Sequence, residues 1–386
     1  MKNFSKQRHI GIDARLYSIN ATGIGRHVSE LIDQLSHLDT NNIYTIFLRK
    51  EAFDIFILPG ENFRKELADY NHYSFQEQWT FFWQLRKQKF DLMVFPHFNV
   101  PLLYFRPYVV TIHDLTLHFF QGKKKTDFLS RMAYYLVIHS AVKKAKHCFA
   151  VSENTKKDMI QHLGLKSEKI TRAYNGVSQK FSCIQTAEDQ QDFNNAKKEF
   201  QFPEKYFLYT GVRRSHKNIT GLVKAYALFR EKYPSSDIML VFSGPIDTIY
   251  QEELQMLLEK YSLGEYVKDY GLFPEKSFKH LFLGAHAFVF PSFYEGFGIP
   301  PIEAMQCGLV VASSSTSSLP EACGDAVEYF DPYDINDMCR AMEVVAFDED
   351  RRNELREKGF HQIHKFTWED MAKTMLEVYK KVLYEK

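Results

Sequence analysis

Residues 287–305 read AFVFPSFYEGFGIPPIEAM, and the order of residue types in this segment indicates the fold class. It begins with an apolar run typical of a buried strand, and Gly296 and Gly298 then allow a tight turn. A helical segment follows, which Pro300 or Pro301 can open. A strand, a glycine turn and a helix form the unit from which parallel sheets with helices on both faces are built. The stretch therefore predicts an α/β fold with its turn at the carboxyl end of a strand.

Similar strand signals occur on both sides of this unit. They form two groups, separated by a polar stretch at 183–203 that suits a domain boundary. The first group is 9–13, 43–48, 91–95, 108–112 and 148–152, and the second is 206–211, 238–243, 287–291, 309–313 and 326–330. We predict two doubly wound, Rossmann-like domains that face a central cleft, at residues 1–185 and 186–367. A helix at 368–386 is expected to cross back to the first domain.

The composition limits the function classes. The chain has 386 residues, 45% hydrophobic and 25% charged, which is globular composition and enough for two cores. The 49 basic and 48 acidic residues nearly balance, which argues against a general nucleic-acid binder. Residues 1–180 hold 26 basic against 16 acidic residues, and residues 181–386 hold 23 against 32. Either the basic half faces an anionic surface or the surface composition simply drifts along the chain.

Cysteine usage and hydropathy indicate the compartment. The five cysteines lack metal or CxxC spacing, which predicts a reducing environment. We find neither a signal peptide nor a membrane-spanning run, so we expect a cytoplasmic protein. The basic segment 121–147 carries apolar residues at helical spacing. It could lie peripherally against an anionic membrane, or pack its apolar side on the core with a solvated basic face.

Charged residues cluster at the predicted carboxyl ends of two strands. Glu295 lies in the glycine turn, and Glu303 lies in the first turns of the following helix, whose N-terminus suits a phosphate group. Upstream, YTGVRRSHKN (209–218) leaves another strand, and its Arg213 and Lys217 could hold a diphosphate. Alone, these two cations would be ordinary surface charges, but the glutamates nearby point to a ligand.

A second glycine turn, TGIGRH (22–27), partly imitates a dinucleotide-binding fingerprint. Val28 stands where the third glycine would be, so an NAD-dependent enzyme is disfavoured.

Together the motifs resemble glycosyltransferase family 4, whose members are retaining enzymes with the GT-B fold. The resemblance rests on E-x7-E after a strand, downstream of a G-x-R-x3-K-N turn. Other segments in family order are TGIGR (22–26), TIHDL (111–115), VSENTKKDM (151–159), YNGV (174–177), FSGP (242–245), YGLF (270–273) and SSSTSSLPE (313–321). Residues 77–102 most resemble mannosyltransferases that build bacterial O-antigen or polymannan chains.

The resemblance implies roles for individual residues. Arg213 and Lys217 would neutralise the donor diphosphate. His113 and Glu295 would contact the donor sugar, and Glu303 would bind the ribose. The other donor-binding positions that the resemblance implies are Gly23, Gly25, Gly211, Tyr270, Phe273, Phe297, Gly298 and Ile299.

The resemblance also implies an activity. The expected enzyme moves a hexose, by preference mannose from GDP-mannose, to a saccharide acceptor, with lipid-linked acceptors of lipopolysaccharide synthesis favoured. It would need no cofactor and no metal, because the cations of Arg213 and Lys217 replace a metal ion. The alternatives are a UDP- or dTDP-sugar donor, another GT-B reaction class such as a nucleotide-sugar epimerase or a phosphorylase, and an inactive partner subunit.

Overall fold

The computed structural model describes residues 6–17, 23–70, 74, 76–120, 128–178 and 180–384. The strands within these ranges are β1 (His9–Asp13), β2 (Ile43–Leu48), β3 (Phe63–Leu67), β4 (Leu92–Phe95), β5 (Tyr108–Ile112), β6 (His147–Ala150), β7 (Ile170–Arg172), β8 (Tyr206–Thr210), β9 (Met239–Ser243), β10 (Val267–Asp269), β11 (Ala287–Phe290), β12 (Val311–Ser314) and β13 (Glu328–Phe330). The helices are α1 (Ile24–Leu38), α2 (Lys50–Phe53), α3 (Phe82–Lys87), α4 (Thr116–Phe119), α5 (Phe128–Lys144), α6 (Glu153–Leu163), α7 (Ala187–Glu199), α8 (Ile219–Lys232), α9 (Thr248–Lys260), α10 (Glu275–Gly284), α11 (Ile299–Gln306), α12 (Leu319–Cys323), α13 (Ile335–Phe347), α14 (Glu349–Ile363) and α15 (Trp368–Tyr384).

The first compact unit consists of Met1–Leu115, Thr126–Gly176 and Thr367–Lys386. Its strands form a parallel sheet in the order β3-β2-β1-β4-β5-β6-β7. Alternate residues of a strand face opposite sides of the sheet. In β4, Leu92 and Val94 therefore join a core with α1 and α15, whereas Met93 and Phe95 join a core with α5 and α6.

The second compact unit consists of Thr116–Lys125 and Val177–Phe366. Its strands form a parallel sheet in the order β10-β9-β8-β11-β12-β13. The predicted α/β class with two doubly wound parallel sheets is thus confirmed. The division of the chain differs from the predicted one at 185/186, because residues 177–185 and 116–125 both belong to the second unit.

Each of the ten predicted strands overlaps an observed strand, and β1, β2 and β5 have the predicted bounds. Strands β3, β7 and β10 were not predicted. All three lie at a sheet edge, and their sequences FRKEL, ITR and VKD contain no apolar run. An edge strand is paired on one side and partly exposed, so its sequence does not need to be continuously apolar.

The C-terminal helix α15 belongs to the first unit, as predicted. Met371, Met375 and Val378 are buried in the core that α1 also lines, and Val382 packs against it. Among the described residues, no helix combines the length and the apolar character needed to cross a bilayer.

Candidate active site

The turn after β8 places Lys217 at the carboxyl edge of the second sheet. A 3-10 turn, Ser215–Lys217, ends at Asn218, which has a left-handed φ of 54°. Asparagine tolerates this conformation better than most residues. Its side-chain oxygen caps α8 by accepting a hydrogen bond from the Gly221 amide at 3.1 Å, and its side-chain amide donates to the Pro332 carbonyl at 2.9 Å. The turn is therefore held from two sides.

Lys217 and Glu295 form an ion pair at this edge. Lys217 Nζ lies 2.6 Å and 2.9 Å from the two carboxylate oxygens of Glu295. The side chains retain 17% and 13% of their exposure, so the pair is shielded but still reachable by a solute. The sequence analysis assigned both residues to the donor, and the structure brings them together.

Hydroxyl groups of the loop after β12 fix the loop that carries Glu295. The Ser317 hydroxyl accepts a hydrogen bond from the Glu295 amide at 3.1 Å and donates to the Glu295 carbonyl at 2.7 Å. The Ser318 hydroxyl lies 2.9 Å from the carbonyls of Glu295 and Phe297. The amide of Phe293 also donates to the His216 carbonyl at 2.8 Å. The loops that carry Lys217 and Glu295 are therefore joined through their backbones.

Gly298 precedes α11 at a position that excludes a side chain. Its φ is 106°, and a Cβ built on it would lie 2.7 Å from Leu319 Cδ2. From Ile299 onward the chain is helical, with prolines in the first turn, where a missing N–H is tolerated. A helix N-terminus favours anions. Glu303, one turn further on, is buried with 4% exposure.

Tyr270 and Phe273, predicted to lie beside the nucleotide base, belong to an aromatic cluster. Phe273 is buried, with its ring centroid 4.5 Å from that of Phe200. The Tyr270 hydroxyl donates to the Phe200 carbonyl at 3.0 Å. Between the two aromatic residues, the Gly271 carbonyl accepts a hydrogen bond from the Gly244 amide at 2.7 Å. The cluster fixes the backbone beyond β10, and contact of this segment with a base stays a prediction.

Arg213 is placed differently from Lys217, although the sequence analysis gave both the same role. Its side chain retains 1% exposure. The guanidinium donates to the carboxylate of Asp269 and to the side-chain carbonyl of Gln251. The chain reaches Arg213 through Gly211, whose amide donates to the Ser243 carbonyl at 2.9 Å. Both terminal nitrogens of Arg213 are thus already paired with other side chains, and its contact with a diphosphate stays a prediction.

In the first unit, His113 follows β5 and is partly buried. Its Nε2 lies 2.8 Å from the Pro96 carbonyl. A carbonyl can only accept a hydrogen bond, so Nε2 carries the hydrogen. Burial, followed by the proximity of His97, lowers the pKa of His113 to about 4. The ring is therefore neutral at neutral pH and offers Nδ1 as an acceptor, which suits the hydroxyl group of a sugar.

Gly23 and Gly25 lie at the start of α1, at the same edge as His113. Gly23 has a φ of 56°, and Gly25 is buried in the first turn. The next buried residue, His27, has its Nδ1 2.9 Å from Asn175 Oδ1, and its ring lies 4.8 Å from that of His113. Contact of the two glycines with phosphate or acceptor stays a prediction.

An ionic network at the carboxyl edge of the first sheet was missed by the sequence analysis. Arg15 donates to both oxygens of Asp13 at 2.7 Å and to one oxygen of Glu77 at 2.5 Å. The other Glu77 oxygen accepts from the Asn99 side-chain amide at 2.6 Å. The side chains of Arg15 and Glu77 retain only 1% and 0% exposure. The sequence signal that could have revealed this network is the pair of opposite charges, Asp13 and Arg15, directly at the end of the buried strand β1.

Comparison with solved structures defines the class of protein. The chain superposes on sucrose-phosphate synthase from Thermosynechococcus elongatus with a TM-score of 0.78 at 18% identity, covering 98% of this chain and 100% of that one. It also superposes on Anabaena Alr3699/HepE in complex with UDP-glucose, with a TM-score of 0.73 at 15% identity over 97% of this chain and 100% of that one. The two doubly wound sheets thus adopt the GT-B fold.

Sequence comparison gives the family. Residues 190–362 match the model "Glycosyl transferases group 1", and residues 21–181 match "Glycosyltransferase Family 4". The chain thus carries a glycosyltransferase group 1 domain and a glycosyltransferase family 4 domain, in agreement with the resemblance that the motifs showed.

Curated relatives carry mannosyltransferase names. The chain is 28% identical to the serotype-specific mannosyltransferase WbdA of Escherichia coli over 65% of its own length, but it spans only 30% of that protein. It is also 28% identical to the O-antigen chain mannosyltransferase B of Escherichia coli, over 77% of this chain and 76% of the relative.

Proposed function

We propose that this chain is a retaining, metal-independent hexosyltransferase that moves mannose from GDP-mannose to a saccharide acceptor in O-antigen or lipopolysaccharide synthesis. The mannosyltransferase names of the relatives support the sugar and the pathway class. The UDP-glucose complex of HepE supports a nucleotide diphosphate sugar as the class of donor, and it makes a UDP-sugar the alternative donor.

The Lys217–Glu295 pair is the observation that carries the proposal. Lys217 holds an ammonium group within 2.6 Å of a carboxylate, on a turn fixed from two sides. When the donor binds, its diphosphate competes with Glu295 for this cation. The cation then stabilises the negative charge that develops on the leaving phosphate. A protein cation at this place performs the charge neutralisation for which other enzymes use a metal ion.

Retention of configuration follows, in this proposal, from a front-face substitution. The acceptor oxygen forms its bond to the anomeric carbon on the face from which the phosphate oxygen leaves, and that phosphate oxygen takes the acceptor's proton. A double displacement would need a carboxylate nucleophile beneath the anomeric carbon. Glu295 has both oxygens within hydrogen-bond distance of Lys217, which suits it to orient sugar hydroxyls instead.

The acceptor is proposed to be lipid-linked and presented at the cytoplasmic face of a membrane. Helix α5 supports this, because it is apolar on two sides. Ile138 and Val142 are buried in the core, whereas Met132 and Leu136 are 54% and 58% exposed. Met132 and Leu136 line a shallow groove together with Lys143. Apolar side chains beside basic ones suit an anionic lipid surface. Residues 121–127 of the predicted basic segment lie outside the described residues.

Calorimetric titration with GDP, UDP and dTDP, followed by the matching sugar nucleotides, tests the donor. We expect tight binding of GDP and GDP-mannose in the presence of EDTA. A preference for UDP or dTDP would replace the donor while keeping the mechanism. Absence of binding to every nucleotide would favour the inactive partner subunit, and release of nucleoside diphosphate without acceptor would favour another reaction class.

The Lys217→Ala variant tests the site. We expect turnover to fall at least about 100-fold, because one electrostatic group commonly supplies that much transition-state stabilisation. Lys232→Ala is the matched control, since Lys232 also pairs with a glutamate, Glu343, at 2.7 Å but is 45% exposed and lies on the far end of α8. Equal turnover in the two variants would remove Lys217 from the mechanism, and a need for magnesium would refute metal independence.

A further inference from the structure

The loop after β4 connects two features of the first unit, the ionic network and His113. Asn99 lies at one end of this loop, where its side-chain amide donates to Glu77 at 2.6 Å. Pro96 lies at the other end, where its carbonyl accepts a hydrogen bond from His113 at 2.8 Å. Within the loop, the Asn99 amide donates to His97 Nδ1 at 3.3 Å. A continuous path of hydrogen bonds and three peptide units therefore leads from Glu77 to His113.

The far end of this path is rigid. Glu77 has no exposed surface and is held by Arg15, which is in turn held by both oxygens of Asp13. The Arg15 guanidinium also lies over the Phe81 ring, 3.9 Å from its centroid. Burial disfavours the charged guanidinium, but the carboxylates of Asp13 and Glu77 outweigh it and raise the pKa of Arg15. A buried network of this kind keeps one geometry, because any displaced member would leave an unpaired buried charge.

The segment that supplies Glu77 is itself unusual. Residues Glu77–Phe81 form a π-helical turn directly before α3. Such turns shift the side chains that follow by one position, and they occur frequently at functional sites. Here the turn combines a fully buried Glu77 with a 52% exposed Trp79 two residues later. The turn therefore presents a buried carboxylate on one side and an exposed aromatic ring on the other.

We propose that Asn99 is a positioning residue for the donor sugar. By tying the loop to Glu77, it holds the Pro96 carbonyl at the place where that carbonyl fixes the tautomer and the orientation of His113. His113 then presents its Nδ1 to a sugar hydroxyl in one geometry only. The same principle operates where a second residue orients a functional histidine through its other nitrogen. This inference rests on the proposed function, because it assumes that His113 contacts the sugar of a nucleotide donor.

The positioning role of Asn99 is tested by measuring how much the sugar contributes to donor affinity. We define this contribution as the ratio of the dissociation constant for GDP to that for GDP-mannose, measured by calorimetry on the full chain. His113→Ala should lower the ratio about tenfold, the usual weight of one hydrogen bond. Asn99→Ala should lower it about three- to tenfold and leave the GDP affinity unchanged. In the double variant, the loss should equal that of His113→Ala alone, because Asn99 acts through His113.

Asn42→Ala is the matched control. Asn42 is also a buried asparagine of the first unit, and it donates to a carboxylate, Asp39, at the same distance of 2.6 Å. It precedes β2 and so lies at the opposite edge of the sheet. Its substitution should leave the ratio unchanged even where it lowers stability. Should the Asn99→Ala chain fail to fold, Asn99→Leu, which is close in size, removes the same donor without adding a charge beside Glu77.

The outcomes separate this inference from the proposed function. An unchanged ratio in folded Asn99→Ala, or losses that multiply in the double variant, would overturn the positioning role while leaving the glycosyltransferase site intact. A wild-type chain that binds each sugar nucleotide no more tightly than its nucleotide would overturn this inference alone, and one that binds no nucleotide and no sugar nucleotide would overturn both. If wild type prefers UDP or dTDP, the same ratio is measured with that nucleotide and its sugar.

Discussion

Arg213 places its guanidinium where almost no solvent reaches it. Its guanidinium bridges Asp269, at the end of β10, and Gln251, on α9. Removing one partner of a buried ion pair leaves the other charge uncompensated. We expect Arg213→Ala to lower the free energy of unfolding by about 2–3 kcal/mol, measured by urea denaturation.

An exposed pair of the same unit serves as the control for Arg213. Lys205 and Asp237 lie 3.4 Å apart with side chains 52% and 65% exposed. Pairs of this kind contribute little, so Lys205→Ala should change stability by less than about 1 kcal/mol. Equal losses of unfolding free energy in the two variants would show that the buried Arg213 bridge stabilises the fold no more than an exposed ion pair does.

The two cations also show how far sequence reasoning reaches. Lys217 and Glu295 are 78 positions apart, yet both follow a strand, and carboxyl ends of parallel strands meet at one edge. Their proximity was therefore predictable. The partners of Arg213 were not, because Gln251 and Asp269 lie in elements whose relative register no local pattern encodes. The Asp13–Arg15–Glu77 network was missed for the same reason, since Glu77 lies in a distant turn that no predicted strand directly precedes.

At the scale of elements, three loops pack closely beyond β8, β9 and β10. Gly211 and Gly244 have φ values of 144° and 138°, and a Cβ on Gly244 would lie 2.3 Å from the Gly211 carbonyl oxygen. The Gly211 backbone cannot move aside as the end of a flexible side chain can. We expect Gly244→Ala to lower the free energy of unfolding by about 3 kcal/mol and to weaken nucleotide binding, because the displaced loops carry the donor-binding segment at Tyr270.

Gly264→Ala is the control for Gly244, since a Cβ there would meet nothing within 4 Å. Its effect on stability should stay within about 0.5 kcal/mol. Thermal and urea unfolding of both variants, with calorimetry of nucleotide binding, make the comparison. A stable Gly244→Ala chain with normal nucleotide affinity would contradict the close packing of these loops.

The helices and strands differ in how clearly the sequence predicts them. Central strands such as β1 and β5 were predicted with their observed bounds, because their middle residues are buried on both faces of the sheet and are mostly apolar. The edge strands β3, β7 and β10 were not predicted, because an edge strand is partly exposed and its sequence does not need to be apolar. The apolar spacing on α5 was recognised, and its apolar residues occur on both a buried and an exposed side, so contact of the exposed side with lipid stays a prediction.

At the scale of the whole molecule, burial lowers the pKa of histidines in both units. The group comprises His9, His27, His113, His139, His147, His280 and His286. In each case the native state binds a proton less readily than the unfolded chain, whose histidines titrate near pH 6.5. As the pH falls through 6.5, protons therefore bind preferentially to the unfolded state, and the folded protein loses stability.

His27 should contribute a large share of this loss. Burial, followed by the proximity of His113, lowers the pKa of His27 to about 3. At pH 5.5 the unfolded chain has taken up a proton that the native state still excludes, which costs about 1.4 kcal/mol for one such group. We expect the drop in unfolding free energy between pH 7.5 and pH 5.5 to be smaller by about that amount in His27→Gln than in wild type.

His37→Gln, at an exposed position of the same helix, should retain the wild-type drop. Urea denaturation at the two pH values measures the difference even if His27→Gln is less stable at both, because only the change with pH enters. An identical drop in all three proteins would show that His27 does not stay neutral in the native state.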